Sequence, residues 1–123
     1  MKLINLLAIL NQLKVFHWQT KSFAEHEAFG KTYDALNDLI DEFIEVYQGK
    51  YGIIFPVGDE FQIPLINYTP DKIDNAMQNI VDYLTSELLN SADYSPDRNS
   101  DLLNLRDEML ANVNKLRYLL TLK

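Results

Sequence analysis

Apolar residues recur along the chain at spacings of three and four, the pattern of helices that each bury one stripe. Leu3, Leu6, Leu10, Leu13 and His17 make the first run, with Asn11, Gln12 and Lys14 between them. The pattern breaks at Thr20-Lys21-Ser22. Ser22 then precedes Glu25 by three positions. That spacing lets a serine hydroxyl accept from the third helical amide while the glutamate reaches back, so a second helix is expected to start there. Its stripe is Phe29, Tyr33, Leu36, Ile40, Phe43 and Tyr47, and it is expected to end at Gly49 or Gly52. From Phe23 to Gln48 this helix would be about 40 Å long.

Between Gly49 and Thr69 the periodicity is lost. Ile53-Ile54-Phe55-Pro56-Val57 and Phe61-Gln62-Ile63-Pro64-Leu65-Ile66 flank Gly58-Asp59-Glu60. The two prolines argue against a central strand, which leaves an irregular hairpin or an extended crossover laid over the helices. Helix resumes at Thr69-Pro70-Asp71, with Thr69 as cap and Pro70 at the first helical position, and its stripe is Ile73, Met77, Ile80, Leu84 and Leu88. Asn90 to Asn99 reads as a turn. Asn99 or Ser100 should cap a last helix with the stripe Leu102, Leu105, Met109, Val113, Leu116 and Leu120. The expected fold class is therefore all-α: a four-helix ferritin-like bundle in one domain, residues 1–123. A long crossover between helices 2 and 3 would let those two run parallel.

Composition narrows the function more than the fold. The 123 residues contain no cysteine, which removes disulfides, thiolate metal sites and thiol nucleophiles. Eleven Lys and Arg against eighteen Asp and Glu give a net charge of −7, which disfavours nucleic acid as a partner. The apolar start is short and is followed at once by Asn11-Gln12, so a cleaved secretion signal is not expected. No run approaches the ~18 apolar residues of a membrane span. The expectation is a cytoplasmic protein with no membrane partner.

His17 and His26 are the two histidines. His26, Asp41 and Glu45 fall on one flank of the core stripe of the second helix. Asp41 and Glu45, four apart, can share an ion. His26 lies fifteen residues from Asp41, about 22 Å along a helix, which is too far. A site using all of them needs histidines from one copy and carboxylates from another, brought together by a two-fold axis. Read without partners, His17 and His26 are interface or capping histidines, and Asp34, Asp38, Asp41, Glu42 and Glu45 are a solvated face.

Phe16-His17-Trp18, Phe23-x-x-His26-Glu27 and Asp41-x-x-x-Glu45 together resemble the metal-site signature of Dps-type mini-ferritins. The His-Trp-Gln-Thr-Lys-Ser opening is similar to short ferritin-like proteins of tailed phages. The match spans residues 13–49. The resemblance implies iron(II) bound, and possible ferroxidase activity with peroxide or dioxygen, at a two-fold subunit interface, inside a homo-oligomer between a dimer and a closed shell of twelve. His17 and His26 would ligate from one subunit and Asp41 and Glu45 from the other, with Trp18 packed beside the site. Iron, zinc or manganese suits such a donor set. For a phage-encoded chain the compartment would be the host cytoplasm. Gly30 stands where the family usually carries a ligating Asp, and Asp34 or Glu27 are the candidate replacements. The span from His17 to His26 is three residues shorter than in the usual pattern, and the basic tail is missing. The alternative functions are a non-catalytic interaction module, using the aromatic segment 51–68 as its contact surface, and a helical oligomer that sequesters a small ligand such as a nucleotide signal. The second needs Lys21, Lys31, Arg98, Arg106 and Arg117 to cluster.

Overall fold

The computed structural model describes residues 3–55 and 64–122. Among these residues it is all-helical, with four principal helices and no strand. Helix α1 runs Ile4–Gln19 and α2 runs Phe23–Tyr51. A single 3₁₀ turn at Pro70–Lys72 leads into α3, Ile73–Asp82, and α4 runs Ser100–Leu120. The expected stripes face inward. Leu6, Leu13, Phe29, Leu36, Phe43, Met77, Leu84, Leu88, Leu102, Met109 and Leu116 are nearly or wholly removed from solvent. Each such side chain contributes roughly 1.5–3 kcal/mol on burial, against about 1 kcal/mol for a typical helix cap, so the apolar stripes decide the fold. Ile9 and Phe16 join this core although the reading of the α1 stripe omits them.

Ser22 caps α2 as expected, its hydroxyl accepting from the Glu25 amide. The reciprocal half of the capping box is absent: the Glu25 carboxylate accepts from the Thr20 hydroxyl at 2.6 Å and from the Tyr68 hydroxyl at 2.5 Å. At its other end α2 runs to Tyr51 and stops at Gly52, whose φ of +93° a side chain would strain. Thr69 does not cap the third helix. Its hydroxyl is buried without a hydrogen bond, and the 3₁₀ turn intervenes. Asn99 stands at the N-terminal boundary of α4, but its side chain serves Ser95 O and the Tyr51 hydroxyl rather than the helix amides.

Helix α3 widens into a π-helical turn at Tyr83–Glu87, where Leu88 N–H donates to Tyr83 O at 2.9 Å. A π-turn inserts a residue and shifts the helix phase. Consecutive pairs, Tyr83-Leu84 and Leu88-Leu89, are buried as a result. Arg106 from α4 donates to Leu84 O and Thr85 O, carbonyls at that end of α3.

Polar contacts at the helix ends show the mutual directions. Lys50, near the end of α2, pairs with Asp101 in the first turn of α4 at 2.9 Å. Arg117, in the last turn of α4, pairs with Asp74 at the start of α3 at 3.3 Å. Both pairs of helices are therefore antiparallel, as is the α1–α2 hairpin. The segment before α3 lies on α1. Gln12 donates to Ile66 O and accepts from Ile66 N–H, both at 2.9 Å, and Gln19 accepts from Tyr68 N–H at 2.6 Å. The expected hairpin or crossover falls in part on residues 56–63, outside the described residues. No described helix is long and apolar enough to cross a membrane.

Candidate functional site

The three-residue turn between α1 and α2 brings both histidines together. Their rings stack with centroids 3.8 Å apart and planes 17° from parallel. His17 Nδ1 lies 2.7 Å from His26 O, and His26 Nδ1 lies 2.8 Å from His17 O. A main-chain carbonyl can only accept, so each Nδ1 must carry a hydrogen and donate. In the neutral imidazole the lone pair is then left on Nε2 in both rings. An imidazole that ligates a metal through Nε2 has this arrangement, with its other nitrogen donating to a carbonyl or carboxylate.

Stacking also restricts what the pair can hold. Each Nε2 lone pair lies in its own ring plane. Two nearly parallel planes this far apart share no point within a ~2.1 Å metal–nitrogen bond of both nitrogens. As arranged, the rings offer one nitrogen each to separate ions. A single ion takes both only if one ring leaves the stack and gives up its carbonyl bond.

Gly30 explains how His17 fits. A Cβ built at Gly30 would meet His17 Cε1 at 3.0 Å and Nδ1 at 3.1 Å. The glycine on α2 leaves room for the His17 ring, one helical turn beyond His26. An Asp at this position would press on the imidazole it is supposed to assist.

The remaining sequence candidates lie elsewhere. Glu27, Asp34, Asp41 and Glu45 are all exposed on α2. Asp41 hydrogen-bonds to Glu45 and repels its charge, which holds the Glu45 carboxyl above its ordinary value. Among the described residues no three His, Asp or Glu side chains converge on one point of a single chain. Trp18 and Phe23, on either side of the histidine turn, are 68% and 77% exposed. Phe23 comes within 6.3 Å of the His26 ring, centroid to centroid. Arg106 is engaged by the Leu84 carbonyl in the π-turn and Arg117 by Gln78 and Asp74 on α3.

Sequence reasoning missed the second polar centre, at the far end of the bundle. There the Tyr47 and Tyr94 hydroxyls lie 2.8 Å apart, and the Tyr51 hydroxyl donates to Asn99 Oδ1 at 2.5 Å. The three rings touch one another at 4.9 to 6.1 Å. Burial, reinforced by Tyr47, pushes the Tyr94 hydroxyl well above the ordinary phenol value. Tyr47 is visible in the sequence as a stripe residue, but no spacing announces its partner 47 positions later.

These features define a four-helix protein whose distinctive polar element is a stacked histidine pair locking its first hairpin. Residues 17–120, from the first of those histidines to the end of α4, match a family of unknown function, DUF5856, and the chain belongs to that family. No curated protein and no solved structure matches it.

Proposed function

We propose that the chain is a ferritin-like, iron-binding protein whose site is completed by a second copy. The observation that carries the reading is the histidine pair, two Nδ1 donors satisfied by main-chain carbonyls and two Nε2 lone pairs left available. The helix directions support it as well. The start of α3 lies at the end of the bundle where α2 begins, since Tyr68 reaches Glu25 just ahead of α3. Segment 52–69 would then be the long crossover of an up-down-down-up bundle.

Asp41 and Glu45 are about 22 Å along α2 from His26, so they act on an ion held by one histidine nitrogen of another copy. Their mutual repulsion favours a cation between or beside them. Iron(II) is the substrate. Two ferrous ions each give one electron to a peroxide, which takes up two protons and leaves as two waters. The imidazole nitrogens and carboxylates hold ferrous iron and favour the more highly charged ferric product. Trp18 and Phe23 form an apolar rim suited to contact between copies.

The test is anaerobic addition of ferrous iron followed by peroxide, with native mass recorded in parallel. A saturable ferric absorbance is expected in an oligomer, and His26→Ala combined with Asp41→Ala should abolish it. Absorbance no different from buffer autoxidation, or a stable monomer, overturns the proposal.

A further inference from the structure

Helices α1 and α3 do not close on one another. A groove of about 600 Å³ runs between them. Its apolar lining includes Ala8 and Ile9 from α1 and Ala76, Ile80 and Tyr83 from α3. Pro64 and Ile66 add apolar wall from the segment that Gln12 pins to α1. The two alanines keep the channel open where larger side chains would fill it.

The lining also carries Asn, Gln, Lys and Glu side chains, and its two charged groups differ in sign. Lys72 stands at the start of α3 and Glu87 at the end of the π-turn, about 20 Å away along the helix. The Lys72 ammonium has no acid partner among the described residues, in contrast to Lys50, Arg106 and Arg117, each of which is paired. The side-chain amides of Asn5, Asn75 and Asn79 line the groove and make no hydrogen bond within the described residues. An apolar trough with a few unspent polar groups is the usual form of a small-molecule site.

We propose that this groove binds the free anion of a long-chain fatty acid, its carboxylate on Lys72 and its chain along Ala8, Ile9, Ala76 and Ile80. Charge complementarity fixes both the sign and the direction. A carboxylate head meets the unpaired ammonium, with the Asn75 amide within a helical turn of it. Glu87 at the far end accepts a neutral chain terminus and repels a second carboxylate. The site therefore selects a monocarboxylate over a dicarboxylate of equal length. It is separate from the histidine turn and does not depend on the metal reading.

The test uses the full chain and cis-parinarate, a fluorescent polyene fatty acid, with palmitate as competitor below its micelle concentration. Saturable fluorescence enhancement, displaced by palmitate, is expected. Lys72→Glu should weaken binding about tenfold or more, the effect of losing one charge-assisted contact. Ala76→Phe should abolish binding with helix content retained in circular dichroism; if that variant does not fold, Ala8→Phe blocks the opposite wall. The dicarboxylate should compete only in Glu87→Gln. The proposal is overturned by absence of saturable binding, by unchanged binding in the filled-groove variants, or by unchanged affinity in Lys72→Glu. It is equally overturned if filling the groove dissociates an oligomer without altering parinarate binding, because the groove would then seat a second copy.

Discussion

His17 and His26 donate to each other's main-chain carbonyl, at 2.7 and 2.8 Å, while their rings stack across the α1–α2 turn. The bonds tie the last turn of α1 to the first turn of α2 and use the same ring nitrogen in both residues. Structure and chemistry are thereby linked. The contact that closes the hairpin also selects which nitrogen of each histidine is left for a ligand.

Nitrogen-15 NMR of the histidine side chains should show both neutral rings as the Nδ1–H tautomer, with Nε2 unprotonated. Adding zinc as a diamagnetic probe should shift the Nε2 resonances and leave Nδ1 protonated on any ring still in the stack. Observation of Nε2–H tautomers would show that the carbonyl bonds are not formed.

Gly30 makes a second expectation sharp because two effects oppose each other. Replacing a helical glycine by alanine gains up to about 1 kcal/mol of helix propensity. Here the new Cβ also meets the His17 ring at 3.0 Å, and that ring is held on its other side by His26. Gly30→Ala should therefore destabilise the wild-type chain yet stabilise a His17→Ala background by about 0.5–1 kcal/mol. Urea unfolding of the four proteins in the cycle measures the change of sign.

The periodic part of the structure was legible because burial imposes a period: Leu36, Phe43, Met109 and Leu116 announce themselves by spacing alone. Ser22 was legible too, since a cap acts within one helical turn. Glu25 shows where such reasoning stops. Its local partner would be the Ser22 amide, but a tyrosine 43 residues later offers a competing hydroxyl, and the distant partner wins. Gly30 was noticeable as a departure from an expected ligand. The reason for it, a ring arriving from α1, is a contact between helices that spacing along α2 does not encode. The same holds for the groove, which is lined by Ala8 and Ala76 from separate helices.

The glutamine contacts on α1 should be measurable at single residues. Gln12 meets both backbone groups of Ile66, and Gln19 meets the Tyr68 amide and the Asn67 side chain. Exposed hydrogen bonds of this kind contribute about 0.5–1.5 kcal/mol each. Gln12→Ala should cost about 1–2 kcal/mol and accelerate amide exchange at Ile66, with little change at Leu36 in the core. Gln19→Ala should do the same at Tyr68. Uniform acceleration across all amides would instead mean that the segment unfolds only with the whole domain.

The Asp101 carboxyl lies below its ordinary value chiefly because it accepts from Lys50; burial opposes this, and the Leu102 amide and the Lys50 charge add to the lowering. A carboxyl depressed by folding contributes stability that is complete above its unfolded value and is lost as pH falls through its folded one. Asp101→Asn should therefore be slightly less stable than wild type at pH 7, by up to about 1 kcal/mol for so exposed a pair. As pH falls through the depressed folded value the two should converge.

At alkaline pH the sign reverses. Burial raises the Tyr83 and Tyr94 hydroxyls far above the ordinary phenol value, with Glu87 and Tyr47 respectively adding to the effect, and burial with Glu25 raises Tyr68. A group whose folded value is raised contributes stability that is fully present below its unfolded value, near pH 10, and lost as pH rises past it. Phenolate absorbance should consequently rise in two phases, the second coinciding with loss of helical circular dichroism. Tyr94→Phe separates the two roles of that residue. It leaves the Tyr47 hydroxyl without its partner and should cost about 1 kcal/mol at pH 7. Yet it also removes a phenol whose ionisation favours unfolding. The stability gap between variant and wild type should then narrow above pH 10, and a gap that stays constant across that range would show that Tyr94 ionises as freely in the folded chain as in the unfolded one.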